Sequence, residues 1–160
     1  HTGVDIVIIA MDYHVNGSIM NGVNAGNFMP IPDVIRFMVD ILRGLEYLHE
    51  LNLYHSDIKP QNILIGTSNQ GVLTDYGISC HSPVGCAAPH RGIYKLHAAP
   101  EVLQNGHVSV QTDIYQVGIT AFRLLNGLGM VRDKFNKALI RCHALNAFYL
   151  TDRGILSANY

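Results

Sequence analysis

The stretch "HSDIKPQNIL", His55 to Leu64, sets Asp57, Lys59 and Asn62 close together, directly ahead of the apolar run "NILI". An acid, a base and an amide crowded into an apolar neighbourhood call for a reason. "NILIG" and "GVLTDYG" read as two short strands split by "TSNQ", a hairpin signal. Such a hairpin carries Asp75, in the turn after its second strand, back beside the loop. Upstream, "PDVIRFMVDILRGLEYLHE" (Pro32 to Glu50) places Val34, Met38, Ile41, Leu42, Leu45 and Leu48 at three- and four-residue steps. That spacing predicts an amphipathic helix, opened by a proline suited to a first turn. Downstream, "QTDIYQVGITAFRLLNGL" is apolar nearly all round through Ile114, Tyr115, Val117, Ile119, Phe122, Leu124 and Leu125, the pattern of a helix buried at a domain's centre.

The remaining segments carry weaker signals. "VDIVIIAMDY" (Val4 to Tyr13) is short and β-branched and reads as a buried strand. "HVNGSIMNGVNAGNFMP" is rich in Asn and Gly and reads as a linker with at most a short helix. "ISCHSPVGCAAPHRGIYKLHAAPE" shows no clear period, and long aperiodic segments in small domains are usually functional or disordered. From Asp133 to Tyr149, Phe135, Leu139, Cys142, Leu145 and Tyr149 share one helical side, ahead of a polar tail.

The chain has 160 residues, enough for one domain with a real core. With 48% hydrophobic and 14% charged residues it is not a disordered sequence. A net charge of −1 gives no electrostatic footprint for nucleic acid or anionic membrane. The apolar run ending at Met11 is too short to cross a bilayer, and no basic start precedes it as in a signal peptide. Cys80, Cys86 and Cys142 are an odd count without framework spacing, which favours a reducing, cytoplasmic setting. Cys80, His81, Cys86 and His90 are all zinc-ligand types, but their spacing lacks the tight pairs of structural zinc sites, and a mobile or self-packed segment is the plainer reading.

The polar set has a coherent chemistry. Moving a phosphoryl group from ATP requires divalent metal on hard oxygen ligands, a cation near the transferred group, and a carboxylate to orient the attacking hydroxyl and accept its proton. Asp57 suits the carboxylate and Lys59 the cation, while Asn62 and Asp75 offer oxygens to metal. Taken singly, each has an ordinary reading as a turn, cap or surface residue.

"HSDIKPQN" resembles the H-R-D-x-K-x-x-N catalytic loop of eukaryotic-type protein kinases, and "DYG" resembles their D-F-G. "APE" (Ala99 to Glu101), "DIYQVG" (Asp113 to Gly118) and "YLHE" follow the family's order, so the resemblance spans roughly Val4 to Gly127. It implies an α+β, mainly helical fold: a large-lobe portion over residues 1–160, with a hinge strand at 4–13 and short hairpins at the active site. The catalytic loop would be 55–62, the activation segment 75–101 and the central helix 111–126.

In that resemblance Asp57 is the catalytic base and Lys59 neutralises the γ-phosphate, a lysine typical of Ser/Thr kinases. Asn62 and Asp75 hold Mg2+, Leu64 floors the adenine, and Met11 to His14 form gatekeeper and hinge, with backbone groups of Asp12 and His14 facing ATP. His55 and Tyr76 stack in an internal spine, and Asp113 clamps the catalytic loop from below. The expected activity is transfer of the γ-phosphate of ATP to a protein substrate.

Four departures accompany the match. No glycine-rich loop, strand lysine or helix glutamate precedes the hinge, so a small-lobe portion is expected elsewhere in a parent chain. The family's last helices, with the arginine that usually pairs with Glu101, have no counterpart. Ser56 replaces the H-R-D arginine, which argues against switching through a phosphate on the activation segment. Tyr94 and His97 stand where Ser/Thr kinases usually carry Thr and Tyr. Ser79, Ser82 and Tyr94 are candidate phosphorylation sites. The alternatives are a kinase-like interaction module without phosphotransfer, which the departures favour and the complete polar set opposes, and a small-molecule kinase, which the A-P-E and central-helix motifs oppose.

Overall fold

A computed structural model describes residues 8–21, 23, 28–84, 86–87 and 97–126. Helix α1 spans Ile31–Glu50 and begins with a proline in its first turn. Its buried face is Val34, Phe37, Met38, Ile41, Leu45 and Leu48. Leu42, expected on that face, is exposed, and Phe37 takes its place. The other five positions read from spacing are buried as expected; the face is rotated slightly about the helix axis toward Phe37, which stands beneath the hairpin beside Ile41, its i+4 neighbour.

Strand β1 (Leu53–Tyr54) follows α1, and a single 3-10 turn, Pro60–Asn62, leads into β2 (Ile63–Ile65). β2 pairs antiparallel with β3 (Gly71–Leu73) in the register Ile63↔Leu73, Leu64↔Val72, Ile65↔Gly71. The hairpin lies on α1 at Gly71. A Cβ there would stand 3.2 Å from Phe37 Cδ1 and 3.5 Å from Ile41 Cδ1, and the Gly71 N–H donates to Asp40 Oδ2 at 2.9 Å. On its other edge β2 meets the segment around Ser18: the Ile19 N–H donates to Ile63 O and the Ile65 N–H to Gly17 O, each at 2.8 Å.

Strand β4 (Cys80–His81) pairs with β1, and β5 (Cys86–Ala87) pairs with β6 (His107–Val108). The six-residue helix α2 (Pro100–Asn105) ends on Gly106, whose φ of +62° is the left-handed C-terminal stop that glycine adopts without a Cβ penalty. Helix α3 (Val110–Asn126) crosses behind the loop that follows β1. Ile19, Ile41, Leu45, Ile58, Ile63, Val117 and Leu124 knit α1, the hairpin, the loop and α3 into one core.

Three expectations are corrected. Residues 8–13, the described part of the strand expected over Val4–Tyr13, form no strand, and Ile8, Ile9, Met11 and Tyr13 are exposed. Their β-branched composition fits a strand, but among the described residues no neighbouring strand supplies the ladder. Helix α3 is not apolar all round its buried surface: Thr112, Asp113, Gln116, Thr120 and Arg123 are buried, whereas Ile114, Phe122 and Leu125 are exposed. The reason is that α3 packs on an irregular loop whose backbone groups need partners. Finally, Cys80 and Cys86 are joined by a disulfide. Both sulfurs are thereby committed, which removes the zinc reading and the compartment argument drawn from unpaired cysteines.

Among the described residues no helix is long and apolar enough to cross a membrane. The helix expected over Asp133 to Tyr149 lies outside the described residues, as do His90, Tyr94 and Cys142.

Candidate active site

Residues 55–58 adopt neither helix nor strand, yet all eight of their backbone polar groups are hydrogen-bonded by side chains. The His55 and Ser56 N–H groups donate to Asp113 Oδ2 and Oδ1 at 2.9 and 2.7 Å. The Asp57 N–H donates to His55 Nδ1 at 3.3 Å, and the Ile58 N–H to Gln116 Oε1 at 2.8 Å. On the carbonyl side, Ser79 Oγ donates to His55 O (3.1 Å), Gln116 Nε2 to Ser56 O (2.8 Å), Asn62 Nδ2 to Asp57 O (2.9 Å) and Thr120 Oγ1 to Ile58 O (3.5 Å). Asp113, Gln116 and Thr120 lie three and four residues apart, so one helical face carries all three.

This scaffold holds Ser56 in the left-handed region, at φ +68°. A non-glycine residue there costs roughly 1–2 kcal/mol and persists where its surroundings over-determine it. The Ser56 hydroxyl is buried with no hydrogen-bond partner among the described residues, so the residue serves through its backbone.

Asp57 is buried, and its Oδ2 accepts from both Lys59 Nζ at 2.6 Å and Asn62 Nδ2 at 2.8 Å. Charge-assisted bonds of this kind fix a carboxylate's orientation. They leave Oδ1 as the oxygen able to accept from a further hydroxyl. Asn62 spends its amide NH2 on Asp57, so its carbonyl oxygen is the side chain's remaining acceptor.

Asp75 is brought alongside by its neighbours. The Thr74 N–H donates to Asn62 O at 3.0 Å, and the Tyr76 ring lies 4.9 Å from the His55 ring. Asp75 is itself exposed and left-handed, at φ +66°. An amide oxygen and a carboxylate are hard donors, and magnesium is commonly held by one or two protein oxygens with phosphate and water completing its shell. Asn62 and Asp75 fit that requirement. Among the described residues no group of three or more His, Cys, Asp or Glu forms an all-protein metal cage.

His55 is fully buried, and burial lowers its pKa against the opposing pull of Asp113, the Thr74 carbonyl, Asp57 and Asp75. Its Nδ1 accepts from Asp57 N–H, so the neutral ring's proton sits on Nε2, which donates to Thr74 O at 3.1 Å. The histidine is a structural post linking loop and hairpin, as its stacking with Tyr76 also indicates. His97 is buried as well: burial and the Arg123 guanidinium, 2.6 Å from Nε2, push it down to about 3.

The sequence-derived residues thus fall into two groups. Asp57, Lys59 and Asn62 form one hydrogen-bonded unit with Asp75 beside it. Leu64 is half-buried on β2 next to Ser18, and the turn closed by Gly17 N–H to His14 O at 3.0 Å stands at the same edge. Met11 and Asp12 lie on the exposed segment leading into that turn and take no part in the network around Asp57. Glu101 accepts from Thr112 Oγ1 at 2.9 Å. Gln116, Thr120 and Ser79 were not anticipated. The one available signal was their polar character inside otherwise apolar or aperiodic runs. Ser79, read as a phosphorylation candidate, has its hydroxyl on His55 O.

Comparison with known proteins identifies the family. A family model described as protein kinase domain matches residues 3–153. The chain is similar to a MAP kinase kinase of Saccharomyces cerevisiae, 40% identical over 87 residues, or 54% of this chain and 17% of that protein. It is similar to an Aurora kinase of Eremothecium gossypii, 29% identical over 121 residues, covering 76% of this chain and 33% of the relative. It is also similar to the serine/threonine-protein kinase PknF of Mycobacterium tuberculosis, 33% identical over 132 residues, covering 78% and 25% respectively. The chain spans a third or less of the length of these relatives.

Proposed function

The chain belongs to the protein kinase domain family, and on that premise we propose that the polypeptide carrying it transfers the γ-phosphate of ATP to a serine or threonine hydroxyl of a protein substrate. Residues 1–160 then supply the large-lobe part of the catalytic unit. Asp57 orients the acceptor hydroxyl through Oδ1 and takes its proton as the oxygen attacks phosphorus. Lys59, held on Asp57 Oδ2, lies close enough to the base to meet negative charge on the transferred group. Asn62 and Asp75 would hold Mg2+, which would supply positive charge to neutralise the phosphate oxygens. Leu64 and Met11 contact adenine, with the backbone of Asp12 and His14 facing its polar edge.

The observation that carries this reading is the single carboxylate oxygen, Asp57 Oδ2, shared by Lys59 and Asn62 on a loop pinned at every backbone group. An interaction module has no physical need to keep that arrangement, and the naming of the mycobacterial relative as a serine/threonine kinase supports the catalytic alternative. The test is transfer of labelled γ-phosphate from Mg-ATP to generic protein acceptors by the full natural polypeptide. Asp57→Asn and Asp75→Asn are each expected to reduce kcat at least about a hundredfold. Wild-type transfer by Asp57→Asn would refute the assignment.

A further inference from the structure

Gln116 sits on α3 three residues after Asp113, buried, and both ends of its amide are used. Its Oε1 accepts the Ile58 N–H and its Nε2 donates to the Ser56 carbonyl, each at 2.8 Å. Those two groups belong to the peptides on either side of Asp57. A parallel β-neighbour makes the same pair of bonds to a residue, one to the carbonyl before it and one to the N–H after it. Gln116 therefore does with one side chain what a strand would do, at the one residue whose carboxylate faces the acceptor.

We infer that Gln116 is a positioning residue for Asp57, an inference that rests on the phosphotransfer reading above. The division of labour along α3 supports it. Asp113 holds the N–H groups of His55 and Ser56, both before the base, and Thr120 holds the Ile58 carbonyl after it. Gln116 alone on this helix bonds on both sides of Asp57, so it fixes the direction of the Cα–Cβ bond. Asn62 and Lys59 fix the carboxylate at its far end, and small errors in that direction are amplified at the reacting oxygen. Among the described residues, Ile58 N–H and Ser56 O have no second bond that would take over.

The test uses the full natural polypeptide and two variants. Gln116→Met keeps the side chain's length and loses both bonds. Gln116→Glu keeps an acceptor for Ile58 N–H and donates to Ser56 O only when its carboxyl is protonated. For Gln116→Met, kcat is expected to fall about tenfold to a hundredfold while KM for Mg-ATP stays within about twofold. Amide exchange at Ile58 should accelerate in the same variant. The kcat of Gln116→Glu relative to wild type should lie above that of Gln116→Met and be highest at the acid end of the working range.

Wild-type kcat in Gln116→Met overturns the role. So does a fall in kcat that disappears once rates are corrected for the folded fraction, or a Gln116→Glu ratio that stays at the Gln116→Met level at every pH. A wild-type polypeptide that transfers no phosphate would defeat the phosphotransfer reading and this role together, whereas an active wild type with an unimpaired Gln116→Met defeats the positioning role alone.

Discussion

Asp113→Asn changes one oxygen to an NH2 at a point where three donors converge. Asp113 Oδ1 accepts from Ser56 N–H at 2.7 Å, and Oδ2 accepts from His55 N–H at 2.9 Å and His49 Nε2 at 2.8 Å. The site is completely buried, so no water replaces a lost partner. The better orientation of the asparagine keeps its oxygen toward His55 and His49 and turns its NH2 against Ser56 N–H. One charge-assisted bond is lost and one buried donor faces another donor. With roughly 1.5–3 kcal/mol for a bond to a charged group and roughly 1–3 for an unsatisfied buried donor, the change should cost about 3 kcal/mol. That is a large share of a stability of about 5–15 kcal/mol. Equilibrium urea unfolding of the full natural polypeptide measures it as a lower midpoint at unchanged slope. A loss below about 0.5 kcal/mol, within the range of an ordinary surface substitution, would refute the claim that Asp113 holds Ser56 in its left-handed conformation.

Three further outcomes are expected. His97 is pushed down to about 3 in the fold, so it stays neutral while the unfolded chain's imidazole protonates below its ordinary value of 6.5. Its contribution is complete above that value and falls with pH, by about 1.4 kcal/mol at about pH 5.5, and urea midpoints of His97→Gln should show a flatter acid slope than wild type. Cys80→Ser opens the short covalent loop to Cys86, and should lower stability by about 2 kcal/mol. Dithiothreitol should destabilise wild type similarly and leave Cys80→Ser unchanged, as read by thermal denaturation. Gly71→Val sets a branched side chain against Phe37, where a Cβ already stands 3.2 Å from the ring, and should cost about 1–3 kcal/mol, with Gly71→Ala costing less.

The elements with a long regular period were legible. Helix α1 was read from its apolar spacing to within a residue at its start, and the β2–β3 hairpin from two apolar runs around "TSNQ". Asp57, Lys59 and Asn62 were read as one group because they are close in the chain, and the structure bonds them to one another. The polar face of α3 was not legible, because Gln116 and Thr120 look like interruptions of an apolar helix until the loop they bond is known. Pairs such as β1–β4 and β5–β6 are two residues long, and an alternation of two carries no period to read. The Cys80–Cys86 bond was missed since spacing alone does not say which thiols meet in space. The segment at residues 8–13 was misread as a strand because composition reports what a backbone tolerates, not whether a neighbour is there to pair with it.

The loop at His55–Ile58 also bears on how this sequence tolerates change. In a helix or sheet the backbone bonds itself, and most side chains can be exchanged without altering its path. Here the path of four residues is written in side chains, among the described residues those of His55, Asn62, Ser79, Asp113, Gln116 and Thr120. Ser79, Gln116 and Thr120 have no assigned contact with ATP or acceptor, yet each specifies part of the geometry that such contacts need. In a saturation library scored for phosphotransfer, intolerance would therefore extend along one face of α3 and into Ser79, tracing a footprint wider than the set of groups that touch the reacting atoms.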